Sequence, residues 1–365
     1  MPPQPPRTTS SLADTARRRR RLVNRSLALL DRWGYEEIEV PLLAPYEELR
    51  STLDDALAER LFRFVDRRGS LLVLRGDLTP IVARQFALRM GTTPLPARLA
   101  YANRVARIER AFAREEAESY EVGLELVGAH GLRADLEVLT VAFDLLDELA
   151  LDDVELRLGH VRIAGALLDS IEDPRLRTTI AQTLRLRDAV ETRSLATHLP
   201  APLRDALVHL CTLRPNRADL ERIATSADPE AASAARELQQ RLHILDAIGL
   251  GHRVCLDLTA RDDRGYYTGI RFDLVCERAG EAVGSGGRYD SLYAHFGAPH
   301  PAVGLGLRVD RLLPLDLVQD DGHTPRNLSP LDGDDLPELL RRAVRARVSG
   351  DRVAIQYPDD REEGA

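Results

Sequence analysis

Two stretches of alternating apolar residues constrain the fold of this chain more than any other feature. A period of two is typical of a half-buried strand, and a polar segment that ends at Ser119 separates the two stretches. We therefore expect two strands joined by a polar loop. Because side chains alternate along a strand, Glu121 and Glu125 should lie on the same face. The alternating positions are Leu99, Tyr101, Asn103 and Val105 in the first stretch and Tyr120, Val122, Leu124 and Leu126 in the second.

The other patterns indicate an α+β protein with a mainly antiparallel sheet flanked by helices, because most connections resemble hairpins. A helix is expected from near Ser11 to Gly34, and Thr79-Pro80 is a typical helix start. The predicted strands are YEEIEV, the hairpin LFRFVD with LLVLR, RVCLDL and YYTGIRFDLVC. AVGSGG should lead into a helix at RYDSLYAHF, and PAVGLGLRVDRLL should be a strand followed by a helix.

The chain divides into several predicted segments. Residues 161–250 show helical patterns with Pro-containing turns and no strand alternation, which predicts a helical insertion. The last segment, with one helix and the strand RVAIQY, is shorter than the about 40 residues that fold alone, so it should dock on the rest. The predicted division is a disordered terminus at 1–10, a core at 11–160 and 251–315, the insertion at 161–250, an acidic linker at 316–335 and a short C-terminal α/β remnant at 336–365.

Composition excludes several classes of function. The sequence contains no lysine, so neither a Walker A loop nor a pyridoxal phosphate Schiff base is possible. A net charge of -8 disfavours a large nucleic-acid footprint, since such binding depends on basic residues. The 3 cysteines are widely spaced, and we expect no disulfide framework, no metal site and no cofactor. With no apolar run long enough for a membrane span or a secretion signal, a cytoplasmic protein is expected.

Five motifs in one order resemble the class II aminoacyl-tRNA synthetase core of histidyl-tRNA synthetases. Each motif alone is weakly diagnostic, but the shared order is specific. The resemblance covers residues from about 20 to 130 and from 250 to 315. The motifs are RWGYEEIEVPLL, similar to the first motif of the dimer interface; LRGDLTPIVAR, similar to the amino-acid-binding loop; RLAYANRVARIER with YEVGLELVG, similar to the second motif; YYTGIRFDLV and GGRYD, similar to histidine-specific segments; and PAVGLGLRVDRLL, similar to the third motif.

The resemblance implies a pocket for histidine. Such a ligand needs carboxylates for its ammonium group, an arginine for its carboxylate and a polar aromatic wall for its imidazole. The family usually has glutamate where Asp77 stands and glutamine where Glu121 stands. By position, the implied histidine-binding residues are Asp77, Thr79 and Glu121 for the ammonium group, Glu125 and Tyr267 for the imidazole, and Arg107, which is the arginine of the second motif.

Structural alternatives exist for these residues. Glu121 and Glu125 could form a solvated strand face, and Arg107 could pair with Glu109. Neighbouring strand residues point to opposite faces, so only one of two adjacent tyrosines can line a pocket. We expect Tyr267 to form the pocket wall and Tyr266 to pack behind it.

The nucleotide side of the resemblance is degraded. Glu115 and Ser119 stand where the second-motif loop of the family has an arginine and an adenine-stacking aromatic residue. Asp262 replaces an arginine before the tyrosine pair, and Arg308 replaces a glycine beside the adenosine. Arg311 persists. Arg114 and Arg261 each lie one residue from a lost arginine, but a slip of one residue on a strand reverses the face.

These departures favour a paralogous family, the regulatory subunits of ATP phosphoribosyltransferase. Too few residues follow Arg311 for the anticodon-binding domain of a synthetase, so no tRNA partner is expected. The resemblance implies a subunit without catalysis that forms a hetero-oligomer with a short-form catalytic chain in the first step of histidine biosynthesis. It also implies feedback by histidine and a synthetase-type dimer. The alternatives are a diverged ligase that activates an amino acid, and an RNA-binding synthetase-like module, which would need a basic face.

Overall fold

The structure is a computed structural model that describes most of residues 13–315 and part of the C-terminal segment. The gaps are residues 54, 90–92, 112–113, 227, 263 and 279, and the C-terminal part consists of 328–331, 333, 335–349 and 351–355. The expected disordered residues 1–10 and most of the expected linker therefore lie outside the described residues.

The described residues contain thirteen helices and thirteen strands, together with short 3-10 turns. The helices are α1 (Ala13–Arg32), α2 (Tyr46–Arg50), α3 (Asp55–Glu59), α4 (Leu78–Arg89), α5 (Gly131–Glu148), α6 (Val161–Asp169), α7 (Pro174–Leu186), α8 (Ala189–Leu195), α9 (Ala201–Leu210), α10 (Arg217–Ala224), α11 (Pro229–Ala247), α12 (Val309–Leu312) and α13 (Leu336–Val348). The strands are β1 (Glu36–Glu37), β2 (Leu43–Pro45), β3 (Arg63–Val65), β4 (Leu71–Leu74), β5 (Ala97–Ala111), β6 (Arg114–Val127), β7 (Val154–His160), β8 (Val254–Leu256), β9 (Ile270–Cys276), β10 (Glu281–Arg288), β11 (Ala302–Arg308), β12 (Leu328–Leu331) and β13 (Arg352–Ile355).

The chain forms two compact units. The first comprises residues 1–154, 264–266 and 276–365, and the second comprises 155–263 and 267–275. In the first unit the strand order is β1-β5-β6-β11-β10, with antiparallel pairing from β5 to β10 and a parallel β1 at the edge. Helix α5 packs behind this sheet with buried positions along most of its length. The fold is that of class II aminoacyl-tRNA synthetases, as the motifs imply.

The hairpin of β5 and β6 is longer than the sequence suggests. The expected polar loop before Ser119 is mostly strand, since β5 continues to Ala111 and β6 begins at Arg114. A register shift between Ala106 and Glu109 interrupts the ladder. The sequence of this stretch has no period-two pattern, although the backbone pairing continues through it.

The second unit is mainly helical. Helices α6 to α11 and one 3-10 turn fill the described part of residues 161–250, and β7 pairs in parallel with β8. The Pro-containing turns predicted from the sequence are helix starts: Asp173 caps α7 and Asp228 caps α11, each followed by proline at the first helical position. The proposed division into domains stays a prediction.

Three predicted elements are wrong in extent. YEEIEV contributes only the two residues of β1, and the segment RYDSLYAHF contains a 3-10 turn at Tyr293–Phe296 in place of the expected helix. The predicted strand YYTGIRFDLVC begins only at Ile270, because Gly265 has φ +88° and turns the chain just before the tyrosines. The hairpin of β3 and β4 and the β11-to-α12 passage are confirmed.

The C-terminal segment docks on the first unit. Arg347 of α13 lies over the ring of the fully buried Trp33, 3.0 Å from the ring centroid, and donates to the carbonyl of Val353. Arg98 of β5 donates to the carbonyl of Ile355 at 2.7 Å. Strand β12, which pairs in parallel with β13, lies within residues 316–335, the segment expected to be an acidic linker. No described helix has the length and apolar character needed to cross a membrane.

Candidate amino-acid-binding site

The start of α4 presents two polar side chains. Asp77 precedes the helix, and its Oδ1 accepts a hydrogen bond from the backbone N–H of Thr79 at 3.2 Å. This is the N-cap arrangement, so Asp77 caps α4, two residues before the expected helix start at Thr79-Pro80. The positive end of the helix dipole favours a carboxylate at this position, which accounts for a buried Asp77 at 7% exposure.

Glu125 of β6 lies at the centre of the candidate site. It is fully buried, and its Oε1 accepts hydrogen bonds from the hydroxyls of Thr79 at 2.8 Å and Tyr101 at 2.9 Å. Burial raises the pKa of Glu125 to about 8, although the two hydroxyl groups oppose that shift. The carboxyl group is therefore mostly protonated at neutral pH, and the alternative that Glu125 belongs to a solvated strand face is wrong.

Some buried polar atoms of this region have no hydrogen-bond partner among the described residues. They include Oε2 of Glu125 and the hydroxyl of Tyr293. Burial, followed by the proximity of Glu125, raises the pKa of the Tyr293 hydroxyl well above its usual value, so it remains a neutral donor. Buried polar groups in folded proteins are almost always paired, so such atoms indicate a place for a polar ligand.

Glycines make room for these groups. On β11, Gly304 pairs in register with Glu125, and a Cβ atom built there would lie 2.1 Å from the Tyr289 hydroxyl and 2.4 Å from Oε2 of Glu125. On β6, a Cβ atom at Gly123 would lie 2.5 Å from the ring of Tyr101. Any larger residue at either position would displace a polar group of the site.

The predicted site residues Arg107 and Glu121 bind each other. Arg107 Nη2 lies 2.7 Å from Oε1 of Glu121, and Arg107 Nη1 donates to the carbonyl of Gly76 at 2.5 Å. Both residues are buried, with Arg107 at 3% exposure. The side chain of Glu109, the alternative partner, lies outside the described residues. Glu121 is therefore not part of a solvated face.

Asp77 has a cationic partner, Arg264, that no sequence motif indicates. Its Oδ2 forms an ion pair with the guanidinium group of Arg264 and accepts a hydrogen bond from the Tyr266 hydroxyl at 3.2 Å. The Tyr266 ring is buried edge-on against Tyr289, with centroids 5.5 Å apart. Tyr266 thus packs as core, as expected, but its hydroxyl reaches a site residue.

Tyr267 belongs to the second unit, where it is buried at 8% exposure with the guanidinium group of Arg271 5.2 Å from its ring centroid. Both tyrosines precede β9, so the strand alternation used to assign one of them to the pocket does not apply. The role of Tyr267 with an imidazole stays a prediction.

The positions of the degraded nucleotide site belong to both units. Ser119 lies opposite Val105 in the hairpin, and Arg308 ends β11 opposite Glu121. The backbone of Glu115 lies in β6, but its side chain is outside the described residues, and Asp262 is an exposed residue of the second unit. The surviving Arg311 is bound to Glu281 at 2.9 Å and to the carbonyl of Ala282 at 2.7 Å.

Comparison with known proteins identifies the family. The family model described as histidyl-tRNA synthetase matches residues 9–312. An ATP phosphoribosyltransferase regulatory subunit of Geobacillus thermodenitrificans is 34% identical over 333 residues, which cover 90% of this chain and 84% of the relative. The protein of the same name from Moorella thermoacetica is 34% identical over 343 residues, covering 92% and 87%. This chain belongs to the histidyl-tRNA synthetase-like family of ATP phosphoribosyltransferase regulatory subunits.

Solved structures agree with this membership in the regulatory-subunit family. A structure from Bacillus halodurans, described as an ATP phosphoribosyltransferase regulatory subunit/histidyl-tRNA synthetase, has a TM-score of 0.76 at 28% identity and covers 98% of this chain and 93% of that one. Histidyl-tRNA synthetase of Nostoc has a TM-score of 0.67 at 17% identity, covering 100% of this chain and 87% of that one, and shows the fold alone.

Proposed function

We propose that this member of the regulatory-subunit family has no catalytic activity of its own. It assembles with a short-form catalytic ATP phosphoribosyltransferase in the cytoplasm, supports the first step of histidine biosynthesis, and binds histidine in the first unit as a feedback effector. Pairs of the chain associate through the synthetase-type interface, and neither tRNA nor a cofactor takes part.

The observation that supports a histidine pocket is the buried Glu125, whose Oε2 has no partner among the described residues. A protonated carboxyl group at this place can donate a hydrogen bond to one imidazole nitrogen and can accept a hydrogen bond from an N–H group of the ligand. The Tyr293 hydroxyl, whose pKa is raised by burial and in part by the charge of Glu125, offers a second hydrogen bond. Asp77, at the start of α4, supplies the negative charge that an ammonium group requires.

The absence of catalysis is supported by the arginines of the second and third motifs, Arg107 and Arg311. Arg107 is bound to Glu121 and Arg311 to Glu281, so each positive charge is already compensated within the chain. A triphosphate would have to separate these pairs and leave a carboxylate beside its own negative charge. The Arg107–Glu121 pair is buried, and a buried carboxylate left without its partner costs about 3–5 kcal/mol, so nucleotide binding at Arg107 is disfavoured.

Reconstitution tests this proposal. The purified chain is mixed with a short-form catalytic subunit, and transferase activity is measured with and without histidine. We expect activity to depend on this chain, with inhibition by histidine that weakens at least tenfold in Glu125→Leu, which cannot form hydrogen bonds, each variant being compared with its own uninhibited rate. Glu118→Leu, which replaces an exposed carboxylate on the same strand, should retain the histidine sensitivity of the unmodified chain.

A ligase activity would give a different result. Histidine-dependent exchange of pyrophosphate into ATP by the chain alone would contradict the proposed absence of catalysis. Transferase activity that is independent of this chain would contradict the proposed partnership.

A further inference from the structure

The ion pair between Arg264 and Asp77 occupies a position that the proposed ligand needs. The side chains are only 17% and 6% exposed, so this is a largely buried pair. On the Asp77 carboxylate, Oδ1 receives the N–H of Thr79, while Oδ2 receives Arg264 and the hydroxyl of Tyr266. The Asp77 oxygen that faces Arg264 therefore already accepts two hydrogen bonds.

The two carboxylates assigned to the ammonium group differ in how their arginine partners are held. Arg107, the partner of Glu121, belongs to β5 and is also bound to the carbonyl of Gly76. Arg264 instead lies in an irregular segment before β9, next to Gly265 with its φ of +88°. The backbone that carries Arg264 is not held in a sheet and can move together with the side chain, whereas the backbone of Arg107 is held in β5.

An ammonium group and a guanidinium group make the same demand on a carboxylate. Both are cations that donate N–H groups and accept nothing. Two such cations at one buried carboxylate would repel each other, and burial makes that repulsion stronger than it is in water. The amino group of a ligand can therefore reach Asp77 only if Arg264 leaves.

We propose that Arg264 is an internal competitor for the ammonium subsite, and that an amino acid binds this pocket by displacing the Arg264 guanidinium from Asp77. This proposal rests on the proposed function, because it assumes that the first unit binds histidine. The competition lowers the affinity for any ligand with an ammonium group and leaves ligands without one unaffected. It sets the histidine concentration at which the pocket fills.

Calorimetric titration of the full chain tests the proposal. The titrants are L-histidine and 3-(imidazol-4-yl)propanoate, which keeps the ring and the carboxylate but lacks the amino group. We expect Arg264→Gln to bind histidine at least tenfold more tightly than the unmodified chain, with the affinity for the propanoate changed less than twofold. Arg185→Gln removes an exposed arginine of the second unit and should match the unmodified chain with both ligands.

Two outcomes overturn the proposal alone: histidine binding that is unchanged in Arg264→Gln, or weaker binding, which would make Arg264 a ligand for the amino acid. If neither the unmodified chain nor Arg264→Gln binds histidine, the proposed histidine pocket fails and this inference fails with it.

A crystal structure of the unmodified chain with histidine gives a second test that needs no variant. We expect the ammonium group within hydrogen-bond distance of Asp77 and the Arg264 guanidinium more than 4 Å away, beyond ion-pair distance. Bound histidine with the Arg264–Asp77 pair intact would overturn the proposal.

Discussion

Glu121 and Arg107 form a buried ion pair across neighbouring strands, with Oε1 and Nη2 separated by 2.7 Å. Both residues match family positions that contact small ligands, yet in this chain each compensates the charge of the other. Two side chains that could contact a ligand therefore serve as a buried structural ion pair.

Replacing one partner should therefore destabilise the fold. Glu121→Gln leaves the guanidinium of Arg107 buried without its counter-charge, so the free energy of unfolding should fall by about 3–5 kcal/mol. Urea unfolding measures this loss. The matched control is Glu118→Gln on the same strand, whose ion pair with Arg104 is exposed, and whose loss should cost about 1 kcal/mol or less. Equal effects of the two substitutions would contradict a buried structural pair.

The glycines of β11 offer a sharper test of the pocket. Gly304→Ala places a methyl group against Glu125 and the Tyr289 hydroxyl, so histidine binding should be abolished and stability should fall by about 1–3 kcal/mol. Gly306→Ala, two residues along the strand, adds a methyl group with nothing within 4 Å and should bind histidine normally. Calorimetry and thermal unfolding compare the two. Normal histidine binding by Gly304→Ala would place the ligand elsewhere.

Glu125 should make stability depend on pH. Its pKa of about 8 in the folded chain is raised from an ordinary value of 4.5, mainly by burial. The stabilisation that comes from holding its proton is complete below about pH 4.5 and is lost as the pH rises through about 8. Within this window the free energy of unfolding should fall by up to about 1.4 kcal/mol per pH unit from this group.

Urea unfolding of the unmodified chain and of Glu125→Gln across pH 5 to 9 checks this dependence. The difference between the two chains should change steadily through the window, because glutamine does not titrate. A constant difference would mean that Glu125 ionises at its ordinary pKa.

The docking of the C-terminal segment can be followed through Trp33, the only tryptophan. Arg347→Ala removes the guanidinium group that covers the ring, so the emission maximum should shift to longer wavelength and acrylamide quenching should increase. Arg345→Ala alters an exposed residue of the same helix that pairs with Glu338, and the emission should not change. Identical spectra for all three chains would contradict the docking described for α13.

Local pattern predicted much of the fold and part of the candidate site. The alternation in β5 and β6 depends on one covered face, and the caps of α7 and α11 depend on neighbouring residues, so both can be inferred from short stretches. The pairing of Arg264 with Asp77 joins residues 187 positions apart, and no local pattern encodes it.

The role of Gly304 was equally inaccessible from the sequence, because it depends on the register that sets β11 against Glu125. The argument that placed Tyr266 and Tyr267 on opposite faces was wrong for a related reason: it assumed a strand, whereas β9 begins only at Ile270.

Parallel calorimetric titrations of the isolated chain with histidine and with ATP and magnesium test the central claim most directly. We predict one histidine bound per chain and no detectable binding of the nucleotide at millimolar concentration, because Arg107 and Arg311 are already bound to carboxylates. Nucleotide binding as tight as that of histidine, or nucleotide binding without histidine binding, would contradict the account.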